Sequence, residues 1–292
     1  MKILFIGVFG NKWSTNIPMV KALAKLGHHV SIFDFRFKAR ENTLINHPFY
    51  FKFIRKYLIN FFKLRLWLPE KFKDIRYYLF GNFKTRRQIE NIAKRINVDL
   101  IFISKMNNIH YKSIQELKKY AKTWYFFMDP LKKGLQINVH KYAQYSDYCS
   151  ATFSNVKLFF QKNNENSYFI TQGVNTELFH PETEEGNKEK EIDIIFVGTK
   201  SPKREFYINY LKKNGIYVKC YGDGWHNQSI YLEDLVEKYR KSKIILNFTR
   251  RKIGFSIRVF QALGTGSFVL SEYCRDLEKI FNKREHLDWF HS

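Results

Sequence analysis

The sequence predicts an α/β protein of two Rossmann-like domains facing across a cleft, each a parallel sheet wound with helices. Three features predict it. Short apolar runs rich in β-branched and aromatic residues recur along the 292 residues. Helical patterns alternate with those runs, as parallel βαβ units require. The whole pattern then restarts after a hydrophilic break, "HPETEEGNKEKE", His180 to Glu191. The chain therefore divides into a first domain over 1–180, a linker over 181–191 and a second domain over 192–292.

The first domain opens on strand "KILFIGVF" and loop "GNKWSTN". A helix follows from Ile17 to Leu26, with Gly27 as its C-cap because glycine enters the left-handed region at no steric cost. Strand "HVSIFDF" completes a βαβ unit. Beyond a basic stretch come strand "VDLIFIS", a helix from Tyr111 to Ala121, strand "TWYFFMD", a short helix near His140 to Tyr145 and strand "YCSATF". The second domain reads as strand "IDIIFVG", a basic turn "TKSPKR", a helix from Glu205 to Lys213 and strand "IYVKCYG". A helix from Leu232 to Lys241 and strand "KIILNF" follow. The chain then passes through a loop bearing Arg250, Arg251 and Lys252 into a helix marked by Ile257, Phe260 and Leu263, and on to strand "SFVLSE".

Composition narrows the chemistry. No run approaches the roughly 18 uncharged apolar residues of a membrane span, and "MKILFIGVFG" passes directly into a turn and a helix pattern with no cleavage site. Cys149, Cys220 and Cys274 are scattered and lack CxxC spacing, so neither a disulfide framework nor a zinc site is expected, and a cytoplasmic location fits. The formal net charge of +23 calls for an anionic partner. Between Arg36 and Arg95 sixteen Lys or Arg stand against four Asp or Glu, interleaved with aromatics as in "HPFYFKFIRKYLINFFKLRLWLPEKF". Such a stretch suits the surface of an anionic membrane, and it equally suits an aromatic face packed on the core with its lysines in water.

The thirty residues "KIILNFTRRKIGFSIRVFQALGTGSFVLSE" read as strand, basic loop, helix, strand. In an α/β domain this order puts the loop and the helix start at the carboxyl edge of the sheet, where phosphates bind. Neither domain has an intact GxGxxG or a Walker A loop, so dinucleotide reduction and ATP hydrolysis lose their usual supports.

Four segments in one order, "QGVNTELFHPE", "IIFVGTKSPKRE", "YGDGW" and "SIRVFQALGTGSFVLSE", resemble the landmarks of GT-B glycosyltransferases. Within that class they are similar to the CgeB-like, spore-maturation group related to the family-four enzymes. The resemblance implies a metal-independent transferase with no cofactor, which moves a sugar from a nucleotide-diphosphate donor held by the second domain to an acceptor held by the first. Glycan or lipid-linked acceptors of cell-surface polysaccharide or glycolipid synthesis would suit a chain attached peripherally to the inner face of a membrane. Donor binding would fall to Gly198, Lys200, Lys203, Arg204, Tyr221, Gly222, Gly224, Trp225, Asn247, Ser256, Arg258 and Gln261. The cations would neutralise the departing diphosphate, the glycines would admit the nucleotide, and Trp225 would offer a flat surface. On the acceptor side stand Gly10, Asn11, Lys105 and His110, with Asp129 in "FFMDP" as the candidate base.

The pattern departs from the family at two places. Gln261 stands where relatives carry a ribose-binding Glu, and Ile253 stands where the first Glu of that pair belongs. The chain also ends at "HLDWFHS", where relatives continue with further helices, so the second domain reads as short. Two other readings follow from the same residues: a non-catalytic GT-B partner protein, from these departures, and a basic nucleic-acid-binding protein, from the charge. No recognised nucleic-acid motif is present, so no nucleic-acid partner is expected.

Overall fold

The computed structural model describes residues 1–35, 83–105, 109–182, 190–249 and 253–291. Most of the basic aromatic stretch from Arg36 to Arg95, the loop residues Arg250, Arg251 and Lys252 and most of the expected linker lie outside the described residues. Contacts divide the chain into two compact units, Met1–Ala151 with Val156–Phe169, and Thr152–Asn155 with Ile170–Ser292.

The first unit carries β1 (Lys2–Gly7), α1 (Asn16–Lys25), β2 (His29–Asp34), α2 (Phe83–Ile96), β3 (Leu100–Ser104), α3 (Lys112–Leu117) and β4 (Lys122–Phe127). It continues with α4 (Leu131–Gln136), α5 (Val139–Tyr145), β5 (Tyr148–Ala151) and β6 (Ser167–Phe169); α6 (Ser154–Gln161) lies between the last two strands. Six parallel strands align in the order β2-β1-β3-β4-β5-β6. A central parallel strand is covered on both faces and reads as an unbroken apolar run. Accordingly Ile3, Leu4, Phe5 and Ile6 of β1 are all buried, each stabilising the unit by about 1.5–3 kcal/mol.

The second unit carries β7 (Ile192–Val197), α7 (Pro202–Lys213), β8 (Lys219–Tyr221), α8 (Leu232–Arg240), β9 (Ser242–Asn247), α9 (Arg258–Gly264), β10 (Phe268–Glu272) and β11 (Asp288–Phe290). Its five strands are also parallel, in the order β11-β10-β9-β7-β8. The buried face of α8, Leu235, Val236 and Tyr239, joins a core with Ile195, Ile245, Val259 and Val269. The two parallel sheets with alternating helices are the α/β architecture expected.

Two local features carry the expectations further. Gly27 ends α1 at φ +80°, and His28 N–H donates to the Leu23 carbonyl at 3.1 Å, the closing bond of a Schellman cap. The helix expected from Glu205 instead begins at Pro202, because Ser201 is its N-cap and Pro202 fills the first-turn position whose N–H has no helical partner. Lys203 and Arg204 therefore sit in the first turn of α7 rather than in a turn before it.

Gly222, just beyond β8, has φ +130°, and a Cβ there would lie 2.6 Å from the Gly198 carbonyl oxygen. Gly27 shares a positive φ but has open space around it. Gly222→Ala is expected to cost more than 2 kcal/mol, from backbone strain of about 1–3 kcal/mol plus a clash with main chain, and Gly27→Ala only about 1 kcal/mol. Urea unfolding of the two variants against the parent chain measures the difference; equal costs would contradict it.

Candidate functional site

In a doubly wound sheet, ligands bind beyond the carboxyl ends of the strands at the point where strand order reverses. The second sheet reverses at β7, which lies between β8 and β9. The edge there is built by the segments after β7, after β8 and after β9, and these hold most of the residues picked from sequence.

The β7 and β8 segments are bonded to each other. Gly198 N–H donates to the Tyr221 carbonyl at 2.8 Å, Lys200 N–H to the Asp223 carbonyl at 2.8 Å, and Trp225 Nε1 to the Gly198 carbonyl at 2.8 Å. Gly222 and Gly224 are needed here by close packing within the protein itself. A Cβ at Gly222 would strike Gly198, and one at Gly224 would lie 2.9 Å from Lys200 Cβ. Tyr221 is buried in the core, and Trp225 packs edge-on against Phe196 with its indole N–H on main chain. These four residues shape the edge from beneath.

The cations divide by partner. Arg204 is 7% exposed; its Nη1 donates to the Thr199 carbonyl at 2.6 Å, its Nη2 to the Phe248 carbonyl at 3.3 Å, and its guanidinium lies 5.1 Å from the Phe196 ring centre. It ties the segment after β7 to the segment after β9. Lys203 pairs with Glu272, which is 1% exposed and also accepts from Thr249 N–H at 2.9 Å and Thr249 Oγ1 at 3.0 Å. Lys200 reaches Glu205 at 2.7 Å and lies 5.5 Å from the Trp225 ring centre. That pair is solvent-accessible on both sides and worth little, so an incoming anion displaces it readily. Arg258, the first residue of α9, is half-buried, and its side chain makes no hydrogen bond or ion pair with the described residues.

Asn247, at the end of β9, is buried and donates to Ser271 Oγ at 2.8 Å, joining β9 to β10. Ser256 and Gln261 are half-buried; the Ser256 carbonyl accepts from Val259 N–H at 3.2 Å in the turn that starts α9. Glu272 and Thr249 were not picked from sequence. The available signal was an acid closing an apolar strand, "SFVLSE", where burial demands a partner.

The first sheet reverses at β1, between β2 and β3. Here Asn16, the first residue of α1, is buried; its Nδ2 donates to the Val8 carbonyl at 3.1 Å, and its Oδ1 accepts from Ser104 Oγ at 2.7 Å. Asp34, closing β2, accepts from Phe9 N–H at 2.8 Å beside Gly10. Neither residue was picked from sequence, although an acid ending the second strand of a βαβ unit is a Rossmann position. Asn11 is exposed, and its carbonyl accepts from Ser14 N–H at 2.9 Å.

Lys105, just past β3, has φ +55°, a left-handed conformation rare for a side chain of its type, and its Nζ holds Asp129 Oδ2 at 2.7 Å. The two predicted residues thus form one pair at the ends of β3 and β4. His110 is buried two residues before α3, where its Nδ1 accepts from Lys112 N–H at 3.3 Å and its ring centre lies 4.0 Å from that of Tyr111. Among the described residues, no three His, Cys, Asp or Glu side chains are grouped to hold a metal ion.

Several solved structures match the fold along nearly the whole chain. Anabaena Alr3699/HepE in complex with UDP and glucose matches at TM-score 0.60 and 11% identity, over 100% of this chain and 86% of that one. Its complex with UDP-glucose matches at TM-score 0.60 and 12% identity, over 100% and 85%. A glycosyltransferase from Rickettsia africae matches at TM-score 0.58 and 17% identity, over 99% and 83%. The fold is that of the GT-B glycosyltransferases. Residues 203–292 of this GT-B chain also match the glycosyl transferase-like family model, which begins at Lys203 and so takes in Arg204, Glu272 and Arg258. No curated protein matches the sequence.

The two arginines of this edge are expected to behave oppositely. Arg204→Ala leaves two main-chain carbonyls without their donor and is expected to cost about 3 kcal/mol. Arg258→Ala is expected to change stability by no more than about 0.5 kcal/mol. Thermal unfolding of both variants checks this; a stable Arg204→Ala variant would show that the two segments hold together without the guanidinium.

Proposed function

We propose that this chain is a glycosyltransferase that moves a sugar from a nucleotide-diphosphate donor to a hydroxyl acceptor. One observation carries the reading: in the unit that holds the family match, Lys200 stands on the segment after β7 and Arg258 opens the helix reached from β9, the neighbouring strand, and Arg204 and Glu272 fix the first residues beyond those two strands. A diphosphate leaving group needs positive charge where its negative charge develops, on groups that do not have to reorganise. Arg258 supplies a guanidinium suited to two phosphate oxygens, and Lys200 exchanges Glu205 for the phosphate. Side chains do this neutralising in our reading, without a metal ion. The structural neighbours in complex with UDP and UDP-glucose support a nucleotide sugar as the donor class.

The first unit receives the acceptor at the carboxyl ends of β1, β3 and β4. Asp129 takes the proton of the acceptor hydroxyl as its oxygen attacks the anomeric carbon, and the bond from that carbon to the diphosphate breaks. Lys105 positions the carboxylate. The order of the four motifs favours the CgeB-like subgroup. The charge of +23 favours an acceptor in cell-surface polysaccharide or glycolipid synthesis, reached from the cytoplasmic side by a peripherally attached chain. Among the described residues no helix is long and apolar enough to cross a membrane.

Thermal shift and saturation-transfer NMR against UDP, GDP, CDP and ADP sugars test the donor half. One nucleotide is expected to stabilise the chain, and Arg258→Ala to weaken it by about 1.5–3 kcal/mol, roughly ten- to a hundredfold. No response to any nucleotide would sink the proposal. For the acceptor half, Asp129→Asn is expected to slow transfer by about 10²–10⁴-fold while leaving nucleotide affinity unchanged. Undiminished transfer by that variant would remove Asp129 from the chemistry.

A further inference from the structure

The outer face of α7 and the turn that follows it serve no purpose in the donor site. Phe206 and Tyr210, one helical turn apart, are 66% and 59% exposed, and Tyr217 is 72% exposed. Ile216 beside Tyr217 is exposed as well. The face carries a shallow depression of about 520 Å³ lined by Phe206, Asn209, Tyr210, Lys212 and Lys213. The turn leads into β8, an edge strand of the second sheet, whose Lys219 is also exposed.

Charge on this face has one sign. From Phe206 to Gly222 there is no Asp or Glu, while Lys212, Lys213 and Lys219 are all exposed. None of the three forms an ion pair with the described residues. The acids that bound this stretch are Glu205, engaged by Lys200, and the exposed Asp223, which lies past the opposite end of β8 from Lys219. We propose that this face docks on an anionic phospholipid surface, the aromatic rings entering the headgroup region and the lysines meeting lipid phosphates.

The chemistry selects that occupant over the others. Tyrosine and phenylalanine on a rigid helix, flanked by lysines, match the boundary between acyl chains and headgroups, where apolar insertion and anionic attraction add. A second copy packed symmetrically on the same face would set three unpaired lysines against three more, on chains that each carry +23. The inference rests on the peripheral attachment proposed above and gives it a surface, and its test stands apart from the donor reading, because lipid binding is measured without any sugar.

The test uses the full chain and vesicles of phosphatidylglycerol or of phosphatidylcholine, in co-sedimentation at low and high salt. Phe206→Ser with Tyr210→Ser, and Lys212→Glu with Lys213→Glu, are each expected to lower partition onto phosphatidylglycerol at least about tenfold. All four side chains are exposed, so the melting temperature serves as a control that is expected to stay constant. A polarity-sensitive label at Phe206→Cys places the contact. Cys149, Cys220 and Cys274 are buried, and burial pushes their thiols up to about 11, 11 and 12, so the new thiol alone reacts at neutral pH.

A blue shift of the label on phosphatidylglycerol and not on phosphatidylcholine supports the proposal. Unchanged partition in both paired variants, or no shift of the label on vesicles, overturns it. So does ultracentrifugation showing that the same substitutions abolish a dimer, or nucleic acid competing fully with vesicles for this face.

Discussion

The second unit depends on one buried cation. Arg204 rises from the first turn of α7 and donates to the Thr199 carbonyl on one side and the Phe248 carbonyl on the other. Those carbonyls lie just beyond β7 and β9, the two strands between which the sheet reverses direction. Segments leaving a switch point diverge, and their main-chain polar groups lose the ladder that satisfied them inside the sheet. A planar guanidinium with five donors answers both at once and lies over Phe196, which shields it from water.

The first unit solves the same problem with different chemistry. Asn16, the first residue of α1, bonds the Val8 carbonyl beyond β1 and Ser104 at the end of β3. In both units a buried polar side chain in the first turn of the first helix joins the two strand ends that flank the reversal. An amide suffices where one partner is a hydroxyl, since it donates and accepts; a guanidinium, which only donates, is suited to two carbonyls. For the sugar transfer proposed above, fixing these segments matters because catalysis gains most from charges that are held in place before the reaction begins.

The cations around this frame differ in how firmly they are held. Lys203 bonds a buried carboxylate already satisfied by Thr249, and breaking that arrangement would strand a charge out of water. Lys200 pairs at the surface and exchanges its partner easily, and Arg258 is not engaged by the described residues. Of four cations that look equivalent in the sequence, two hold the scaffold and two are available to an anion. The acids Asp34 and Glu272 both belong to the scaffold, each accepting from a main-chain N–H of a neighbouring segment.

What the sequence determined by itself is local. Period and composition set the alternation of strands and helices, the restart near residue 190, the glycine cap at Gly27 and the helix that begins at Arg258. Each rests on residues within one turn or one strand of each other, the range over which side-chain period and cap chemistry act. Even there, the pattern of "KRE" alone starts the helix at Glu205 and leaves Arg204 in a turn, whereas the serine cap and the proline before it start the helix at Pro202. Tertiary structure decided the strand order, and with it where the carboxyl edges reverse. It also decided that Gly222 faces Gly198, that Lys203 meets Glu272, that Lys105 meets Asp129 and that His110 turns inward. The three pairs are separated by 24 to 69 positions along the chain. No periodicity reports a contact over that distance; it exists only once a sheet has brought the two segments to one edge and removed the water between them.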